Sequence, residues 1–463
     1  MDVEKEIQEL REKNQVLERL VQQQAELIEQ LRAELASRDS STSHSPPSQD
    51  SPKARAKRKK KNETRKKSSR KRGGQPGHKG HHRQMAPPER VDEFITCTPS
   101  CCTGCGAELT GAPEATRRHQ VWEVPPPRAH VTEYRLEDFV CECGTRTRAQ
   151  LPEGVSPSSF GPRVHAICGV LRVEGRLSVS KTRQMMRDLF ELEISTGAVS
   201  AIDGRLSEAL EQDHHALHQV VQDAEVVHLD ETMWYLAGKR HILWGAITEA
   251  ATYVMVRARR DTASAKTLVG EDFEGLAVTD RYCAYHWLDN ERRQMCWAHL
   301  RRDFAAMSIR DGTLGECGKL LHAEAKDVLR RHRKVREGNM PRAEFEVWAR
   351  GRKEYVRGLL KQASMAKGPR KHTGVARETL KYFECLWTFV EHPGVEPTNN
   401  AAERALRHPV IARKLSFGSQ SDRGLRFIER MLSVRATLRQ QGRSFLEFLY
   451  ARLTGQPTHL LPA

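Results

Sequence analysis

No apolar run in this chain approaches the roughly 20 residues that a membrane-crossing helix needs, which argues against a spanning segment. The first residues are acidic and heptad-patterned rather than basic and then apolar, unlike a signal peptide. A cytoplasmic protein is therefore expected. Apolar residues are nearly missing from Ala36 to about Arg90, a stretch of Ser, Pro, Lys, Arg, Gly and His that cannot bury enough surface to order itself alone. Acids are scarce within it: between Lys53 and Arg72, thirteen Lys or Arg face Glu63 alone. Twelve of the sixteen net positive charges thus sit in one tract, and the rest of the chain is close to balanced. Such a tract, centred on Lys57, Arg58, Lys59, Lys60 and Lys61, reads as an arm that meets nucleic-acid phosphates without reading sequence; a solvated linker has the same composition.

At 463 residues there is enough chain for two or three domains with cores of their own. Residues 1–38 carry a heptad. Leu10, Leu17 and Leu31 share one position, and Ile7, Asn14, Val21 and Ile28 share the other. β-Branched residues with one Asn at a and Leu at d favour a parallel two-stranded coiled coil, hence a homodimer or larger assembly. Residues 39–90 form the basic linker and 91–152 a cysteine-rich module. Thiols clustered in a cytosolic chain argue for metal rather than disulfides. Cys102-Thr-Gly-Cys105-Gly is half of a zinc knuckle, and Cys141-Glu-Cys143-Gly, one residue short of the usual spacing, is its expected partner. Cys97, Cys101 or His119 remain alternative ligands for a structural Zn²⁺. Cys168, Cys283, Cys296, Cys317 and Cys385 are isolated and read as small buried residues.

Residues 155–218 have helical spacing, with Ser195 or Thr196 opening the third of three short helices. The order resembles a helix-turn-helix, yet the last helix starts with few basic residues, so plain packing accounts for it better. Chemistry concentrates further on. Glu225 to Glu231, EVVHLDE, is an apolar run ending in acid: Val226, His228 and Asp230 fall on one face of a strand, Val227 and Leu229 on the other. A turn at Gly238-Lys239-Arg240 and two further β-rich runs follow, then GLAVTD, ending at Asp280. A carboxylate at the edge of an apolar sheet needs compensation, and a divalent cation shared by two or three carboxylates supplies it. The third candidate is Glu403, in PTNNAAER, where a capping box with Asn400 is the competing explanation. His299 and Arg302 of CWAHLRRDF share a helix face, placed either to meet phosphate or simply to pack. Arg404, Arg407, Arg413 and Lys414 lie on or just beyond the helix of Glu403.

HLDET, VTDRYCAY, CWAHLRRDF and PTNNAAERALR followed by IARK, in that order, resemble the transposases of the insertion sequence 66 family, as do the N-terminal heptads, GGQPGHKGHHR and the cysteine-rich segment. The resemblance implies an α/β fold: a ribonuclease H-like catalytic domain split into residues 222–305 and 393–463 by a helical insertion at 306–392. It implies a DDE triad of Asp230, Asp280 and Glu403 that holds Mg²⁺ (or Mn²⁺) and catalyses two-metal phosphoryl transfer. The implied partners are DNA, both element ends and target, and accessory proteins of the same element. The implied location is the bacterial nucleoid. Two other readings stand beside it: a metal-dependent nuclease that cuts without joining, and a non-catalytic zinc-containing DNA-binding protein derived from a transposase.

Overall fold

The computed structural model describes residues 14–25, 28, 84–155 and 157–461. Most of the heptad stretch and nearly all of the basic linker, Lys57 to Lys61 included, lie outside the described residues. Residues 14–25 are helical, with Val16, Leu17, Leu20 and Val21 exposed. In the cysteine-rich segment a hairpin pairs β1 (Asp138–Val140) with β2 (Arg146–Arg148) antiparallel, and both strands are exposed throughout. Four helices follow: α1 (Pro162–Val173), α2 (Val179–Phe190), α3 (Thr196–Ala209) and α4 (Glu211–Gln222). Glu191 ends α2 in the left-handed region, at φ 50°, and Ser195 caps α3 by accepting from the Ala198 amide at 3.0 Å. α3 buries Val199, Ile202 and Leu206 in the main core, and Asp203 on it pairs with Arg172 of α1 at 3.0 Å. Packing explains this helix, as its sequence predicts.

β3 (Val226–Leu236), β4 (Lys239–Ile247) and β5 (Thr252–Arg257) form an antiparallel meander. Its first turn is Ala237-Gly238, both at positive φ (47° and 75°), as the twist of a two-residue hairpin requires. That corrects the turn expected at Gly238-Lys239-Arg240: Lys239 and Arg240 already pair with Leu236 and Tyr235. α5 (Thr262–Val269), capped by Asp261, crosses over to β6 (Leu276–Thr279), which lies parallel to β3. β7 (Arg293–Met295) adds in parallel outside β6, giving the order β5-β4-β3-β6-β7. Sequence did not announce β7: two of its three buried residues are polar, Arg293 and Gln294.

α6 (Trp297–Met307), α7 (Gly312–Arg336), α8 (Arg342–Met365), α9 (Arg370–Lys381) and the single turn α10 (Thr388–Glu391) share a second core. It includes Leu300, Phe304, Leu321, Phe345 and Trp387, and meets the sheet at Val278 and Met295. The excursion begins and ends at one place. The Trp297 amide donates to Pro397 O at 2.9 Å, its indole to Leu386 O at 2.7 Å, and Thr388 Oγ1 to Arg293 O at 2.7 Å.

α11 (Asn400–Ser416), α12 (Asp422–Gln440) and α13 (Phe445–Leu453) complete the chain. α13 packs through Phe445, Phe448 and Leu449, which it buries. α12 closes the outer edge of β5. Glu429, Ser433 and Thr437, four residues apart on one helix face, accept from the amides of Val256, Val254 and Thr252, two residues apart on the strand. A rise of about 6 Å per four helical residues nearly matches about 6.8 Å per two strand residues, so the two ladders stay in step. An edge otherwise open to pairing is satisfied by side chains. Ser433→Ala leaves the buried Val254 amide without an acceptor and is expected to cost about 1–3 kcal/mol, read from the denaturant midpoint; an unchanged midpoint would show that the ladder does not hold the edge.

Candidate active site

The parallel pairing of β3 with β6 sets the site. Val226, Val227 and His228 stand beside Leu276, Ala277 and Val278. Continuing that register two residues places Asp280 beside Asp230, on strands about 4.8 Å apart and on the same face. Asp230 lies where β3 runs on past the end of β6, so its carboxylate is largely withdrawn from water without being sealed in. Burial pushes its pKa well above the ordinary carboxylate range. The charges of Glu231, Asp280 and Glu403 push the same way, and the Glu231 amide, donating to Oδ1 at 2.9 Å, opposes them. Asp280 Oδ1 accepts from the Tyr282 amide at 2.9 Å. Its backbone is clamped: the buried Arg293 donates to Asp280 O at 2.8 Å and to Thr279 Oγ1 at 2.9 Å.

A fourth acid joins them that the sequence reading missed. Glu231 follows Asp230 and therefore points to the opposite, inward face. Its side chain is only 2% exposed, and Arg260 and the Tyr285 hydroxyl both donate to it. Burial raises its pKa, Asp280 adds to the rise, and Arg260 and Tyr285 oppose it. Arg260 also stacks on Tyr282, 3.6 Å from the ring centroid. The loop that carries Asp280 is thus tied back to β3 through Glu231. The period-2 pattern put Glu231 on the Leu229 face, and that was the available signal.

The third expected acid arrives on α11. The residue before this helix, Asn399, is fully buried and makes no side-chain cap. Its Nδ2 donates to Leu229 O at 2.6 Å, its Oδ1 lies 3.3 Å from His228 Nδ1, and its amide meets Cys296 Sγ at 3.2 Å. The capping box of Asn400 with Glu403 does not form. Glu403 turns instead to α6, where Arg302 Nη2 stands 3.3 Å and His299 Nε2 3.6 Å from its Oε1. His299 and Arg302 are thus neither merely packed nor solvated: both stand against the Glu403 carboxylate. Arg281, next to Asp280, links Asp303 of α6 (3.0 Å) to Glu378 of α9. Arg404 and Arg407 are exposed on α11, as is Lys414, whereas Arg413 is partly buried and turned to Met233 O.

Asp230 and Asp280 offer the hard oxygen donors that Mg²⁺ or Mn²⁺ takes. Among the described residues, however, no group of three or more His, Cys, Asp or Glu is drawn together closely enough to hold a metal ion. Each acid has found its own partner: an amide for each aspartate, Arg302 and His299 for Glu403. The cysteines expected to hold zinc are likewise not drawn into such a group among the described residues. Cys102 and Cys105 make the knuckle turn, with the Gly104 amide 3.4 Å from Cys102 Sγ, and Cys141 and Cys143 sit at the tip of the β1–β2 hairpin, with Cys143 Sγ 3.3 Å from Thr145 Oγ1. Among the described residues the two halves form no four-thiolate group; Cys105, Cys141 and Cys143 are exposed and Cys102 is half-buried. Of the isolated cysteines, Cys168, Cys296, Cys317 and Cys385 are buried and Cys283 is exposed.

A family model described as the transposase IS66 family matches residues 157–426, more than half of the chain. A model for a family of unknown function matches residues 2–84. An uncharacterized protein, y4qI, of Sinorhizobium fredii is 23% identical over 412 residues, which cover 79% of this chain and 72% of that protein.

Proposed function

Because this chain belongs to the IS66 family of transposases, we propose that it cuts the ends of a DNA element and joins them to target DNA, with Asp230, Asp280 and Glu403 as its DDE acids. The observation that supports this reading is the β3–β6 register, which, continued two residues past His228 and Val278, brings Asp280 next to the largely desolvated Asp230 at the end of a parallel strand pair. The sheet order β5-β4-β3-β6-β7, antiparallel across its first three strands and parallel across its last three, supports a ribonuclease H-like core into which residues 306–392 are inserted.

In this reading, Asp230 and Asp280 form the fixed half of a cation site, and Glu403, 38% exposed at its side chain, is the mobile third ligand. Asp230, Asp280 and Glu403 would hold divalent cations there, whose Lewis acidity would serve to activate a water or 3′-hydroxyl and to take up charge on the leaving oxygen. The protein's own part is placement. Arg293 and the Tyr282 amide fix Asp280. Glu231 holds the loop after it, and Asn399 locks the start of α11 to β3. Exposed Arg404 and Arg407 neutralise backbone phosphates beside the cut, and the Lys57–Lys61 tract adds sequence-independent contacts. No side chain forms a covalent bond to DNA. The heptads pair two chains so that both element ends are held at once.

The test is a reaction on labelled element-end DNA with Mg²⁺ or Mn²⁺ against EDTA. Metal-dependent joined product is the expected result. Cut ends that never join would move the protein to the nucleases, and tight binding without cutting in any metal, even with the element's other proteins added, would overturn catalysis altogether.

A further inference from the structure

We propose that Arg302 is a positioning residue with two alternative acceptors: it holds Glu403 off the aspartate pair, and a DNA backbone phosphate releases Glu403 by taking the guanidinium in its place. The proposal rests on the reading of Glu403 as the third metal-holding acid.

Four observations lead there. First, Arg302 and His299 meet the same oxygen of Glu403, so the carboxylate is drawn toward α6 and not toward β3. Second, the guanidinium is under-used. Its Nη2 serves Glu403, while its Nε is buried and has no acceptor. A planar fork with five donors suits the paired oxygens of a phosphate better than one carboxylate oxygen at 3.3 Å. Third, neither helix is free to settle the matter by sliding. Cys296 at the start of α6 and Asn399 at the start of α11 bond to each other, and Asn399 is bonded in turn to β3. The choice falls to the Glu403 side chain, which is partly exposed and, among the described residues, is held by Arg302 and His299 alone. Fourth, Arg301, Arg404 and Arg407 are exposed around this point, so a backbone is drawn to the place where Arg302 is needed. A half-exposed ion pair contributes little to stability by itself. Its consequence here lies in which oxygen donors face the two aspartates.

The coupling makes a prediction opposite in sign to simple damage. In full-length protein without DNA, Arg302→Ala is expected to bind Mn²⁺ more tightly than the natural protein, on the order of tenfold, because Glu403 loses its charged partner and keeps only the longer contact to His299, 3.6 Å. The readout is the free Mn²⁺ signal in electron paramagnetic resonance. Duplex DNA of any sequence is expected to tighten Mn²⁺ binding by the natural protein and to leave Arg302→Ala unchanged. Arg302→Lys keeps the charge without the fork, and is expected to hold Glu403 yet respond weakly to DNA. Mn²⁺ affinity in Arg302→Ala that is equal to or weaker than that of the natural protein, at an unchanged melting temperature, overturns the proposal. Glu403→Gln separates the two levels. If it leaves Mn²⁺ affinity untouched, Glu403 is no ligand and the underlying reading falls. If it weakens Mn²⁺ while Arg302→Ala strengthens nothing, only the exchange at Arg302 falls.

Discussion

Asp230→Asn is expected to abolish strand cleavage, by about 10³-fold or more, and at the same time to stabilise the fold. The loss follows from its place beside Asp280: an amide offers a weak neutral oxygen where a cation needs a charged one, and several kcal/mol of transition-state stabilisation go with it. The gain follows from electrostatics. The carboxylate is withdrawn from water, has Glu231, Asp280 and Glu403 as neighbours, and receives a single amide in return. Removing its charge relieves about 1–3 kcal/mol of unfavourable burial in metal-free buffer. DNA binding should persist, since its contacts come from cations elsewhere. The measurements are cleavage rate, DNA affinity and thermal midpoint in EDTA. A variant that melts earlier and loses DNA binding would show Asp230 to be a structural residue.

Asn399→Ala carries the second large effect, through position and not chemistry. This buried amide joins β3, α6 and α11, the three elements that bring Asp230, Arg302 and Glu403 together. Truncation leaves Leu229 O without its donor and opens a void, at a cost of roughly 2–4 kcal/mol. Cleavage is expected to drop about 10²-fold at temperatures where the variant is fully folded, because a displacement of about 1 Å at a reacting group is enough for that. Asn399→Asp keeps the shape but turns an oxygen toward the Leu229 carbonyl, and should do at least equal harm. An active, stable Asn399→Asp would show that the hydrogen bond to Leu229 is not what matters.

How far the residues alone reveal this arrangement depends on what each signal can carry. Apolar runs ending in acid are local, so β3, β6 and the two aspartates were legible from VVHLD and GLAVTD. β7 was not, because Arg293 and Gln294 are buried by virtue of bonds to Asp280 O and Leu386 O, which no period-2 pattern encodes. Glu231 hid behind Asp230: side by side in sequence, they point to opposite faces and serve different ends. The cap expected of Asn400 with Glu403 does not form, and the neighbouring Asn399, for which no role was expected, is a cross-link to Leu229 O and Cys296 Sγ, bonds that only the folded neighbours decide. Cysteine spacing foretold each half of the CxxC and CxC pair but carried no information on whether the halves meet.

The Trp297–Pro397 hydrogen bond has a consequence for how this protein can change. A polymer that leaves and re-enters a structure at one point has closed its loop there, and lengthening the excursion adds only a slow logarithmic term, about 0.6 kcal/mol per doubling. The segment from α6 to α10 can therefore gain or lose residues at its far turn, around Gly338 and Asn339 between α7 and α8, without shifting the sheet before it or the helices after it. A peptide tag or a backbone nick placed there should leave two associated parts that still cut DNA, and related chains are free to differ most in length at that turn.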